Sequence, residues 1–88
     1  MIYRTIISQY ENRLEAIKEK VSNEEMICYF AQDHVEKLLE EEKRLKVVFK
    51  EMHLDVEIIE ELDSVIKQTE QFLLDIVDII EIERNKCF

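Results

Sequence analysis

Only a few side chains could support chemistry. The histidines are His34 and His53, the cysteines Cys28 and Cys87, and the serines Ser8, Ser22 and Ser64. A zinc site on a helix wants His and carboxylate ligands three or four residues apart, with a third ligand close by. His53 and Glu57 have that spacing, but Asp55 between them is a helix-starting residue that would part them. His34 has Asp33 beside it and Leu38 four residues on, which is no ligand set. No Glu-x-x-His pair occurs, which excludes a ferritin-like di-metal centre. Nucleophilic catalysis needs a Ser, Cys or Thr beside a base that a third group orients. None of the serines has that setting, and Cys28, followed by Tyr29 and Phe30, reads as a buried, inert thiol. Cys28 and Cys87 lie 59 positions apart without a CxxC spacing. They read as reduced thiols, one in an apolar seam and one in a terminal tail, and not as a disulfide scaffold. Carboxylates are plentiful, but on helix surfaces they are solvated charges. No catalytic residue, metal ligand or cofactor site is expected, and the chain reads as a non-enzyme.

The composition narrows the classes further. The 88 residues include no glycine, no proline and no tryptophan, with 21 acids against 12 lysines and arginines, a net charge of -9. Without glycine there can be no phosphate loop, dinucleotide fingerprint, primed hairpin turn or nucleophile elbow. A chain this short buries about 60–65% of its unfolded surface, enough for one core. At 47% hydrophobic residues it is too apolar for a disordered tail. No run of about 18 apolar residues exists to span a membrane. The start, Met1-Ile2-Tyr3-Arg4, lacks a basic stretch feeding an apolar run, so the chain reads as intracellular and cytoplasmic.

The elements that must position any site are helices. Tyr3, Ile7, Tyr10, Leu14, Ile17 and Val21 alternate spacings of four and three, a heptad seam predicting a helix over 2–21. Ser22 and Glu25 have capping-box spacing, which starts a second helix at about 23. Its seam is Cys28, Ala31, Val35, Leu38, Glu42, Leu45, Phe49 and Met52, running to about 53. Asp33-His34-Val35-Glu36 has the same box spacing, so a break near Gln32 is an alternative. Asp55 is a candidate N-cap for a third helix over 56–85, with Leu54 and Ile59 placed for a hydrophobic staple. A second apolar row, Ile58, Val65, Phe72 and Ile79, lies beside the seam Ile59, Leu62, Ile66, Thr69, Leu73, Ile76 and Ile80. Two rows serve two neighbouring helices. The expected fold is therefore all-α: one domain over 1–88, an antiparallel three-helix bundle with a long helix 2–helix 3 hairpin and coiled-coil-like seams.

Three features exceed what a bare bundle requires. With helix 1 shorter than its neighbours, the hairpin end should project by about nine residues, about 13 Å. Val48, Phe49, Met52, Ile58 and Ile59 would then form a self-association surface, giving a homodimer. In Phe72–Ile82, Leu74, Val77 and Ile82 lie off the seam, and Asp75, Asp78 and Glu81 form an acidic ridge. These six residues are the expected partner-binding surface. Finally, Glu42 occupies a seam position; it either sets register and partner choice or rotates into water.

The string Glu61-Leu62-Asp63, followed by Val65-Ile66, resembles the centre of the signature of small helical-hairpin aspartyl-phosphate phosphatases of sporulating bacteria. Their pattern begins Ser-Gln, where this chain has Ile59 and Glu60. A small regulatory phosphatase-like hairpin is thus one alternative. Charge points elsewhere. Residues 55–88 hold ten acids and three bases, net -7, whereas residues 1–22 hold three acids and four bases. No basic stripe exists for nucleic acid, and an anionic membrane would repel this surface. An acidic face suits a basic protein partner. The leading expectation is a small acidic protein-binding module, an adaptor or inhibitor, that self-associates and binds another protein through its third helix. The other alternative is a phage-type DNA mimic that occupies a DNA-binding protein.

Overall fold

The computed structural model describes residues 2–86. It is an antiparallel bundle of three helices: α1 (Ile2–Ser22), α2 (Cys28–Glu51) and α3 (Val56–Lys86). Among the described residues there is no strand. The α2–α3 hairpin makes the most extensive contact, and α1 packs on both of its helices. The molecule measures 52 × 20 × 16 Å. Its long axis follows α3, whose 31 residues extend about 46 Å at the helical rise. Helix α2 runs through Gln32 without a break.

Most of the core residues occupy heptad positions. One cluster, at the hairpin end, holds Ile7, Phe49, Ile58, Leu62, Val65 and Ile66. A second, near the α1–α2 turn, holds Ala31, Val35, Ile76 and Ile80. Leu14 and Leu38 are fully buried between the clusters, together with two polar residues, Glu42 and Thr69. Salt bridges on the outside fix the register. Arg4 reaches Glu57 and Glu61 of α3, Arg13 reaches Glu41 of α2, and Lys46 reaches Asp63. Partly exposed pairs of this kind contribute at most about 1 kcal/mol each, so they align helices that burial holds together.

The turns solve a problem created by the absence of glycine. Each ends its helix with a residue in the left-handed region, Glu24 at φ 61° and His53 at φ 57°. At the first turn, the Glu24 N–H donates to the Val21 carbonyl and the Glu25 N–H to that of Lys20. At the second, His53 N–H donates to the Lys50 carbonyl and Leu54 N–H to that of Phe49. Both are Schellman motifs, and both place a non-glycine where glycine is preferred. At the second turn the accompanying apolar contact is present too, since Leu54 packs on the cluster that contains Phe49. The Asp55 carbonyl then accepts from Ile58 and Ile59 N–H groups, which puts Asp55 at the N-cap position. Leu54 and Ile59 both pack on the adjacent cluster, as a staple requires. The left-handed conformation costs an L-residue about 1–2 kcal/mol, partly offset because glycine loses more entropy on folding. Glu24→Gly and His53→Gly should each stabilise the bundle by about 0.5–1 kcal/mol, raising Tm by about 2–8 °C. A calorimetric scan of the two variants checks this.

The first turn also corrects two expectations. Ser22 does not cap α2; it is the last residue of α1, and α2 starts five positions later than expected, at Cys28. Its N-cap residue, Ile27, makes no side-chain cap bond. The reason is the Schellman closure, which carries the chain through residues 23–27 before it can turn helical. This longer turn slides α1 along α2, so α1 reaches the hairpin end. Tyr3 meets Phe49 edge-on, with ring centroids 5.5 Å apart, and Ile7 joins Ile58 and Leu62. The hairpin end therefore does not project. Phe49 and Ile58 are core residues, 2% and 5% exposed, and neither is available for self-association.

Candidate functional site

Three helices with a wide apolar face on α3 bury most of its seam and leave residues on its outer side. The core row Leu62, Thr69, Ile76 and Ile80 faces inward. Leu74, Asp78 and Ile82, four residues apart, form a row on the opposite side. Leu74 is 59% and Ile82 55% exposed. Asp75, Asp78 and Glu81 are exposed beside them, and Gln71 donates to Asp75 at 3.0 Å. Val77 differs from the expectation: it is half-buried and supports the packing more than it offers a surface. Five of the six residues expected on this face are thus exposed together, with acids alternating between apolar side chains.

The far end of the bundle adds further exposed apolar residues, of which Ile79 belongs to the second apolar row of α3. Ile27, Tyr29 and Phe30 are largely exposed, and Ile79 of α3 is partly so. An open cleft of about 320 Å³ lies there, lined by Val21, Met26, Ile27, Cys28 and Ile79, with Glu24 and Glu83 as its acidic members. A signal for this was present. The run Met26-Ile27-Cys28-Tyr29-Phe30-Ala31 covers more than one helix face, so some of it had to point outward. The Cys28 thiol is pushed up from its ordinary value by burial and then by the nearby Glu83 carboxylate, so it stays protonated and weakly nucleophilic. Cys87 lies outside the described residues.

At the hairpin end, Val48 and Met52 are exposed, Ile59 is half-buried, and Val47 and Val56 are exposed as well. The Glu61-Leu62-Asp63 string serves the bundle. Leu62 is fully buried, Glu61 pairs with Arg4, and Asp63 bonds Lys46 at 2.6 Å and faces Lys67. The Lys46 hydrogen bond holds the Asp63 carboxyl below the usual aspartate range, with Lys67 and Lys50 adding to it.

Among the described residues, the one polar arrangement sequestered from water lies in the middle of the bundle. Glu42 is 0% exposed, so it does not rotate outward. Thr69 Oγ1 lies 3.0 Å from Glu42 Oε2 and 3.0 Å from the Val65 carbonyl oxygen. Glu42 Oε1 has no hydrogen-bond partner. Burial pushes the Glu42 carboxyl up to about 7, against the Thr69 hydrogen bond and the Arg13 charge, which lower it.

Among the described residues no group of three His, Cys, Asp or Glu side chains could hold a metal ion, and no helix is long and apolar enough to cross a membrane. The chain matches no protein-family model, no curated protein and no solved structure.

Proposed function

We propose that this chain is a non-enzymatic protein-binding module, an adaptor or inhibitor, that takes a partner on the outer face of α3. The observation that carries this reading is the exposure of Leu74 and Ile82 beside Asp75, Asp78 and Glu81. Large apolar side chains left wet each forgo about 1.5–3 kcal/mol of burial. Grouped on one helix face, they are a surface for association. The alternating acids favour a partner whose contact segment is apolar with basic flanks, because complementary charge speeds encounter and rejects acidic competitors. We take this role to be cytoplasmic, where the Cys28 thiol would stay reduced.

The test compares wild type with Leu74→Asp/Ile82→Asp as baits in native cell extract, at 50 and 300 mM salt. Both positions are exposed, so the variant should fold. The expected result is a partner recovered by wild type at both salts and lost by the variant. Equal recovery by both forms would overturn the reading. A partner lost steeply with salt, and indifferent to the variant, would instead mark a DNA mimic, in which carboxylates stand in for phosphates.

Self-association is a second reading. It is favoured by the exposed side chains Val47, Val48, Met52 and Val56 at the hairpin end. Light scattering at high micromolar concentration should then report a dimer mass, and a constant monomer mass would remove this reading.

A further inference from the structure

The buried polar layer is unused by any binding surface, and its hydrogen-bond arithmetic is unusual. A threonine hydroxyl has one hydrogen to give, yet Thr69 Oγ1 stands at hydrogen-bond distance from two acceptors, Glu42 Oε2 and the Val65 carbonyl. If Thr69 gives its hydrogen to Val65, the Glu42–Thr69 contact needs a hydrogen from Glu42. A neutral carboxylic acid supplies it, and the chain O–H···O–H···O=C is then complete. If Glu42 is ionised, Thr69 must turn its hydrogen toward Oε2 and give up Val65. A full carboxylate is then left in a dry core with Oε1 unpartnered, whereas in the neutral acid that oxygen is only a carbonyl.

We propose that Glu42 and Thr69 form a proton-operated latch in the central layer of the bundle: the carboxyl proton closes it, and loss of that proton to solvent loosens the layer between the two apolar clusters. The groups facing Glu42 do not reverse this. From α1, Arg13 favours the charged form, but its guanidinium is bonded to Glu41 at 2.8 Å. From α2, Glu41 disfavours the charged form. From α3 the facing polar group is the Thr69 hydroxyl, whose hydrogen bond to the carboxylate favours the charged form but is outweighed by burial, and its neighbours Gln68 and Glu70 are exposed. Desolvation is the largest of these influences. The latch therefore works near neutral pH, where ordinary glutamates do not titrate. It rests on burial and bond geometry inside one chain, so it stands or falls independently of the partner-binding surface.

Two measurements test it. Carbon-13 NMR of the labelled glutamate carboxyls in the full chain should find Glu42 titrating near 7, well above the ordinary 4.5. Thr69→Val, which removes the hydrogen bond that the carboxyl receives from Thr69, should move that titration further up. Denaturant unfolding of wild type should then be compared with Glu42→Gln, which keeps the shape and cannot titrate. Relative to that variant, the wild-type unfolding constant should rise about tenfold per pH unit between 4.5 and 7, and level off above. A Glu42 carboxyl titrating in the ordinary range, no movement in Thr69→Val, or parallel pH profiles for wild type and Glu42→Gln would each overturn the latch. Should Glu42→Gln not fold, the wild-type titration decides alone.

Discussion

Leu14→Ala should destabilise the bundle by about 2–5 kcal/mol, the range for deleting a fully buried leucine and leaving a cavity. A domain of this size has a total stability of about 4–13 kcal/mol, so the variant should lose a large fraction of the wild-type value. Leu14 is chosen because α1 has only two buried residues, Ile7 and Leu14. Ile7 joins the hairpin-end cluster; Leu14 sits at the level of Glu42 and Thr69, where the two clusters meet. Its loss removes the central apolar anchor of the first helix and leaves the α2–α3 hairpin less covered. Urea unfolding followed by circular dichroism measures the effect. A cost below about 1 kcal/mol would mean that α1 is not packed across the middle of the hairpin. A loss of cooperativity would mean that α1 unfolds as a separate unit. Substituting Ile2, exposed on the same helix, should change stability by less than about 0.5 kcal/mol.

The architecture was legible because burial follows the heptad. Ile7, Leu14, Ala31, Val35, Leu38, Phe49, Leu62, Ile66, Ile76 and Ile80 all occupy seam positions, and all are buried. The third helix was legible from its double apolar row, since Ile58 and Val65 of the second row are buried as well. What could not be read was the conformation of Glu24. A glutamate at φ 61° is disfavoured by sterics, and nothing in Ser22-Asn23-Glu24-Glu25 announces it. The capping-box spacing there suggested a two-residue link. The five-residue link, 23–27, changed the alignment of α1 with α2, which is why Phe49 and Ile58 moved from a supposed surface into the core. His53 was the more readable of the two turns, because histidine visits the left-handed region more readily than glutamate and Leu54-Asp55 already resembled a helix start. On α3, the outward placement of Leu74 and Ile82 followed from periodicity alone. Val77, on the flank of the seam, could go either way by spacing. The Glu42–Thr69 pair was half legible: both residues lie on seams, but their meeting depends on a register that only the turn at 52–55 fixes.

Glu42→Leu should raise stability, and by more at pH 8 than at pH 5. The folded carboxyl is pushed up to about 7 from an ordinary 4.5. A group raised in this way contributes stability that is fully present below 4.5 and is lost as pH rises through 7. Wild type therefore weakens across that window, while a leucine at 42 is indifferent to it. The gap between the two pKa values corresponds to about 3 kcal/mol at most, taken at about 1.4 kcal/mol per unit. Replacing a buried charged group with a well-packed apolar one gives gains of about 1–4 kcal/mol, and the pH 8 value should fall in that range. Thr69 keeps the Val65 carbonyl as its acceptor, so the substitution strands no donor. Asp63 does not blur the comparison: its carboxyl is held below the usual aspartate range by Lys46, so its contribution is lost only in acid, outside the window. The same variant reads out specificity. With leucine at 42 the middle layer becomes as apolar as the layers on either side, and helices can slip or exchange at less cost. The expected result is a broader mass distribution in light scattering alongside the higher Tm. A higher Tm with an unchanged mass would restrict Glu42 to the pH response, and an unchanged Tm at pH 8 would mean that the carboxyl is hydrated in the folded chain.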